Sequence, residues 1–314
     1  MPREVLNQCE KVLQSVDCEK VIKLESNHDT QIIVKALEQF KNLEELQLDV
    51  QCVYDDETML SRFVPSICAL SKLRNFSWLC VENEGDDDLI TISQHTPLME
   101  EFSFYSLSSV LCFPEILTNW KKLKKLKGIM YQVRGEEHYQ PEDNQLREFF
   151  KAVTSHQCLR ELTFDDAFQY YGFGVGEGCP VTSLSFSIFY DTPSELLMND
   201  LSKMKHLKEL HLAQLPSNDL FSKIENLKEL EVLGVSCCKD EFCETISKLP
   251  KLKVLHISFG NITGIGVDWF SKISTLEHIK LLTPPYEIAQ LMIEKCPNLK
   301  RITIVERGME SRYL

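Results

Sequence analysis

The sequence predicts an α/β solenoid, with short parallel strands on its concave face and helices on its convex face. Three observations carry this. A pattern L-x-x-L-x-L, with aliphatic or aromatic substitutes, recurs along the 314-residue chain. Its copies fall at nearly constant intervals. Amphipathic helical segments fill the gaps between them.

The clearest copies are NLEELQL (42–48), CLRELTF (158–164), HLKELHL (206–212), KLKVLHI (251–257), TLEHIKL (275–281) and NLKRITI (298–304). Weaker ones are KLRNFSW (72–78), LMEEFSF (98–104), KLKKLKG (122–128), PVTSLSF (180–186) and LEVLGV (230–235), with a degenerate first copy at KVIKL (20–24). The last positions make a ruler: Leu24, Leu48, Trp78, Phe104, Gly128, Phe164, Phe186, Leu212, Val235, Ile257, Leu281 and Ile304. Nine of its eleven steps lie between 20 and 29 residues, the range of strand-plus-helix repeats. Within each copy the L-x-L pair alternates with polar residues, so a short strand buries one side and exposes the other. One such unit cannot bury its own apolar face; stacking on neighbours does.

Taken in order, residues 1–15 are expected to form a helix that caps the first repeat's exposed edge. The remainder, 16–314, is expected to be one domain of about twelve repeats. Helices are predicted at 29–41, with Asp29 as N-cap and Ile32, Ile33, Ala36, Leu37 and Phe40 at helical spacing, and at 194–205 and 284–296, each led by proline (Pro193, Pro285). The carboxylates of GDDDL (85–89) suit a helix start. The longest step carries a polar insertion, 131–145, and a smaller one lies at 50–59. Between Phe164 and Phe186 no helical periodicity appears. That unit is predicted to replace its helix with a loop holding Gly172, Gly174, Gly176 and Gly178.

These repeats resemble the leucine-rich repeat superfamily in its helix-containing form, the style of ribonuclease inhibitor and of F-box/leucine-rich-repeat proteins, over about residues 16–306. CPNLKRITI (296–304) and LGVSCCKDE (233–241) look most like the F-box-associated type. The resemblance implies a horseshoe and a non-catalytic protein–protein interaction scaffold, with a role as the substrate-recognition component of a ubiquitin ligase. It implies no cofactor. The family pattern continues to an Asn or Cys three residues past the strand, and here only Cys238 conforms. No full F-box fits ahead of the first repeat. The alternative implied by the same fold is a ligand-sensing or regulatory repeat domain, as in an innate-immune receptor or a pathogen effector.

Composition narrows the partners. Net charge is −13 and the isoelectric point about 5.2, which argues against nucleic acid and against an anionic membrane surface. No apolar run approaches the roughly 20 residues that span a bilayer, and the N-terminal residues lack a secretory apolar core. The expectation is a cytoplasmic or nuclear chain, monomeric on its own, that binds protein. The twelve cysteines are expected as reduced thiols, with Cys68, Cys158 and Cys296 in apolar positions. Cys237, Cys238 and Cys243 lack the second half that a zinc site needs, so no metal is expected.

No nucleophile–base pair stands out. An enzyme of another class would use the glycine loop for nucleotide. Its spacing fits neither G-x-G-x-x-G nor G-x-x-x-x-G-K-[ST], and a strand rather than a helix follows. Candidate contacts are therefore those of a binding surface. Tyr131, Arg134, His138 and Tyr139 stand in the long insertion, where aromatic and Arg anchors would suit an interface; the rival reading is a tolerated surface loop. The outward column of the strands runs Gln47, Ser77, Ser103, Lys127, Thr163, Ser185, His211, Gly234, His256, Lys280 and Thr303. Flanking positions add Glu45, Asp49, Tyr105, Asp165, Glu209, His278 and Arg301. These form either a polar groove whose C-terminal half gathers His211, His256, His278 and Lys280, or ordinary solvated strand faces. His211 and His256, two strands apart, are expected about 10 Å from each other, too far to act together.

Overall fold

In the computed structural model, the described residues are 23–26, 33–34, 37–48, 59–78, 86–104, 112–129, 143–168, 174–176, 178–188, 194–212, 218–236, 238–258, 260–282, 284 and 286–305. The cap expected at 1–15, the N-cap Asp29 and the insertions at 50–58 and 131–142 lie outside them. Contacts divide the chain into two compact units, Met1–Arg160 and Glu161–Leu314.

The first unit holds β1 (Lys23–Ser26), β2 (Glu45–Leu48), α1 (Met59–Cys68), β3 (Asn75–Trp78), α2 (Asp86–His95), β4 (Glu101–Phe104), α3 (Phe113–Asn119), β5 (Lys125–Ile129) and α4 (Asp143–Ser155). The second holds β6 (Glu161–Phe168), β7 (Ser183–Ile188), α5 (Ser194–Leu201), β8 (Glu209–Leu212), the short α6 (Asn218–Phe221) with a 3-10 turn (Ser222–Asn226), β9 (Val232–Ser236), α7 (Asp240–Ser247), β10 (Val254–Ser258), α8 (Gly264–Phe270), β11 (His278–Leu282), α9 (Tyr286–Lys295) and β12 (Arg301–Val305). Within each unit the strands follow in sequence order and pair in parallel with their neighbours.

Register confirms the ruler from Leu48 to Gly128 in the first unit and from Phe164 to Ile304 in the second. Leu48 pairs Trp78, Trp78 pairs Phe104, and Leu212, Val235, Ile257, Leu281 and Ile304 align in turn. The first mark needs correction: Leu24 aligns with Leu46, and Ser26 with Leu48. The degenerate copy offered a leucine one pleat early.

Three apolar positions per repeat build the core. The first apolar residue of most copies sits in a turn, where its amide donates to a carbonyl three residues back, as from Leu73 to Leu70 and from Leu276 to Ile273. Leu43, Leu73, Leu123, Leu207, Leu252 and Leu276 are all buried there. At most steps the carbonyl just before a strand then accepts two amides from the next repeat. Glu44 accepts from Arg74 and Asn75, Lys253 from Glu277 and His278, and Glu277 from Lys300 and Arg301. This stacks the side chains at that row, and ion pairs join it: Arg74 with Glu44 and Glu100, Lys253 with Glu231, Lys300 with Glu277. Such exposed pairs are each worth little, because solvent screens them.

The first unit's core is aromatic. Phe102 lies 4.9 Å from Trp120 and 5.7 Å from Phe76, and Phe113 lies 5.0 Å from Phe104 and 5.1 Å from Phe149. Trp120 is fully buried and donates from Nε1 to Thr96 Oγ1 at 3.1 Å. The second unit's core is mostly aliphatic, with Phe164 and Phe186 on its first two strands and Phe221 against Phe242 at 5.3 Å between helices. In β12, the last described strand, Ile304 is 52% exposed where Leu281, one repeat earlier, is 3%.

Three elements differ from expectation. Helix α4 begins at Asp143, inside the predicted insertion. Helix α5 ends at Leu201, because residues 202–205 form the tight turn that sets Met204 in the core. Strand β6 runs to Phe168, with a register irregularity after Phe164. The described residues between β6 and β7 contain no helix, as predicted. Gly174 and Gly178 have φ of 56° and 89°, conformations that glycine adopts freely. A Cβ on Gly174, Gly176 or Gly178 would meet nothing within 4 Å, so these glycines turn the chain rather than admit a close approach. Val175 and Cys179 are buried there. Of the cysteines placed in apolar positions, Cys296 is buried and Cys68 half-buried, but Cys158 is exposed. It opens the turn before β6 instead of filling the core.

Helix α8 meets α7 closely. Asp240 at the start of α7 accepts from the Thr263 amide at 2.9 Å, from Thr263 Oγ1, and from the Gly266 amide at 3.1 Å. Thr263 in turn caps α8, accepting from the Ile265 amide.

Candidate functional site

The strand face away from the described helices is mostly polar in both units. In the first, Gln47, Ser77, Ser103 and Lys127 stand in register. Beside them run Glu45, Asn75, Glu101 and Lys125, with Lys125 paired to Glu101 at 3.5 Å and Lys23 to Glu45 at 3.4 Å.

The second unit's column is Thr163, Ser185, His211, Gly234, His256, Lys280 and Thr303, aligned strand by strand as predicted. The predicted separation of its histidines is wrong. The His211 and His256 rings stand 5.7 Å apart, and the His256 and His278 rings 5.9 Å. Gly234 is the reason. A Cβ there would stand 2.1 Å from His211 Nδ1, so the imidazole leans across β9 through the space a side chain would fill. Backbone spacing of about 10 Å across two strands still holds; the rings close the gap.

Hydrogen bonds fix the outer rings. His211 donates from Nε2 to Glu209 Oε1 at 2.9 Å, and Ser183 Oγ donates to the other Glu209 oxygen at 3.1 Å. The His211 bond holds the Glu209 carboxyl below its ordinary range. His278 Nε2 shares a hydrogen bond with Thr303 Oγ1 at 3.0 Å. Burial, then Arg301 and Lys280, lower the His278 pKa. His256, in the middle, is lowered to about 4, by burial first and then by His211, Lys280 and His278. It is therefore neutral at pH 7.

The sign of that shift sets a pH dependence. The folded pKa lies below the unfolded value of about 6.5, so the unfolded chain takes the proton first. His256 contributes no penalty above pH 6.5, and stability is lost as pH falls from there toward 4. The loss should be on the order of 1–2 kcal/mol, scaled down from the full shift because the ring is partly solvated. Urea unfolding at pH 7 and pH 4.5 measures it, and His256→Gln should lose less between the two. Equal losses in both proteins would contradict the assignment.

Of the other predicted contacts, Tyr105, Tyr131, Arg134, His138 and Tyr139 lie outside the described residues. Asp165 lies in β6, its side chain outside them. His211, His256, His278 and Lys280 are brought together. A signal for their contact was present in the sequence, as glycine standing between two histidines of one column.

No protein-family model matches the chain, and none of the curated proteins matches it significantly. Among solved structures, the leucine-rich repeat-containing protein LegL7 from Legionella pneumophila is similar over 91% of this chain and 90% of that one, with TM-score 0.53 and 12% identity. The fold is a leucine-rich-repeat solenoid. An internalin (inlF) from Listeria monocytogenes matches 96% of this solenoid and 90% of its own chain at TM-score 0.42 and 16% identity. A TLR13–ssRNA13 complex matches 87% at TM-score 0.45 and 16% identity, and the solenoid spans about a third, 34%, of that TLR13 chain. Among the described residues no helix is long and apolar enough to cross a membrane, and no group of three or more metal-ligating side chains is assembled.

Proposed function

We propose that this protein is a non-catalytic interaction scaffold that binds a protein partner on the open strand face. The observation that carries the reading is that face itself. In each unit, polar side chains stand in register across successive strands, most of them half-buried, with none of the described helices over them. A row of side chains on rigid strands presents contacts with little ordering cost. The finer reading, substrate recognition for a ubiquitin ligase, rests on the sequence resemblance of the repeats. Recovery of a ligase adaptor with the purified chain supports it, and a clear absence counts against it.

Photo-crosslinking tests the face. A benzophenone side chain at Ser103 or Ser185 should capture a defined partner from cells, and one at Glu294 on α9 should not. Capture at Glu294 alone would overturn the reading. Charge reversal by Lys280→Glu with His256→Glu should weaken capture at Ser185 severalfold while circular dichroism at pH 7 keeps the folded spectrum. If deleting 131–142 abolishes capture and the face changes do not, the insertion is the site.

A further inference from the structure

We propose that the face spanning β8–β12 docks an acidic segment of a partner protein through His211, His256, His278, Lys280 and Arg301, and that the contact tightens on acidification. The inference rests on the scaffold reading and names the partner's chemistry.

Charge decides the chemistry. The chain as a whole carries −13, yet among the described positions of this face Glu209 is the only carboxylate, and it already accepts from His211 and Ser183. Around His256 stand His211 and Glu209 on β8, then Val232, Gly234 and Ser236 on β9, which do not titrate. His278 and Lys280 follow on β11, and Arg301 and Thr303 on β12. Glu231 and Glu277, just before β9 and β11, pair with Lys253 and Lys300. An acidic segment repelled by the rest of the surface meets complementary charge here.

Geometry supplies the acid response. Rings in contact on both sides of His256, at 5.7 and 5.9 Å, add to burial in disfavouring its protonation. Among the described residues no hydrogen bond occupies the ring nitrogens of His256. A carboxylate laid over the cluster supplies the missing counter-charge and acceptor, so binding and proton uptake are linked. With His256 at about 4 in the free protein and restored to about 6.5 beneath a carboxylate, affinity should rise about tenfold between pH 7.5 and pH 5.5.

The probe is a short fluorescein-labelled peptide of alternating glutamate and glycine, followed by fluorescence anisotropy with the full chain. It should bind about tenfold tighter at pH 5.5 than at pH 7.5, and the glutamine–glycine counterpart should not bind. His256→Gln should remove the pH difference. Gly234→Ala, which drives His211 away from His256, should reduce it, and both variants should keep the folded circular dichroism spectrum at pH 7.5. Equal affinity at the two pH values, an unchanged pH response in His256→Gln, or equally effective competition by a single-stranded RNA oligonucleotide would each overturn the proposal. Crosslinking at Ser185 separates the two readings. Capture that persists while the glutamate peptide shows no pH response sinks the acidic assignment alone; loss of capture there sinks the scaffold.

Discussion

Trp120→Ala should destabilise the first unit by about 3–5 kcal/mol, the range for removing a buried large aromatic side chain. The indole has no exposed surface. It packs 4.9 Å from Phe102, which itself touches Phe76, Phe104 and Phe113. Its Nε1 bonds Thr96 Oγ1, which also donates to the Ile92 carbonyl at the end of α2. Two losses are therefore superposed, packing and a buried hydrogen bond. Trp120→Phe separates them. It keeps most of the ring contact and leaves Thr96 without its donor, at a cost of about 1–3 kcal/mol. Urea unfolding followed by far-ultraviolet circular dichroism measures both. A Trp120→Ala loss no larger than that of Trp120→Phe would show that packing contributes little at this position.

The second large effect is at the α7–α8 contact, and it has two routes. Asp240→Ala removes a carboxylate that accepts three hydrogen bonds from the next repeat, and should cost about 2–3 kcal/mol, since bonds to a charged acceptor are the stronger kind. Gly266→Ala approaches from the other side. Helix propensity alone favours alanine by about 1 kcal/mol. But the new Cβ would stand 2.5 Å from Asp240 Oδ1, 2.6 Å from Ile262 Cγ2 and 3.0 Å from Cys243 Sγ. Overpacking of this kind costs about 1–3 kcal/mol, so the net change should be a modest destabilisation. Because both substitutions disrupt one contact, the double variant should lose less than the sum. Strict additivity would mean that Gly266 and Asp240 act independently.

Much of this architecture is legible in the sequence because the repeat enforces it. A leucine at a fixed step must meet the leucine of the next repeat, so eleven of the twelve ruler marks need no correction. The first failed because a degenerate copy offered a leucine one pleat too early, and only pairing with Leu46 reveals it. The start of α4 at Asp143 was hidden by the polar residues that precede it, which read as loop. The histidine contact escaped for a different reason. Strand spacing fixes where backbones run, but side-chain lean depends on what the strand between them lacks, and Gly234 lacks everything beyond Cα. Column order was readable; ring distance required the three-dimensional environment.

The three tryptophans are unevenly shared, and this turns the chain into its own pair of optical probes. Trp78 and Trp120 are buried in the first unit, so their emission should be blue-shifted and poorly quenched by iodide or acrylamide. Trp269 belongs to the second unit, where it is half-buried with the Lys272 ammonium 3.5 Å from its ring centroid. Its emission should be redder and more readily quenched. During denaturation, the short-wavelength signal reports one unit and the residual signal the other. Coincident midpoints would mean that the repeats melt as a single cooperative block, and separated midpoints would assign an independent transition to each.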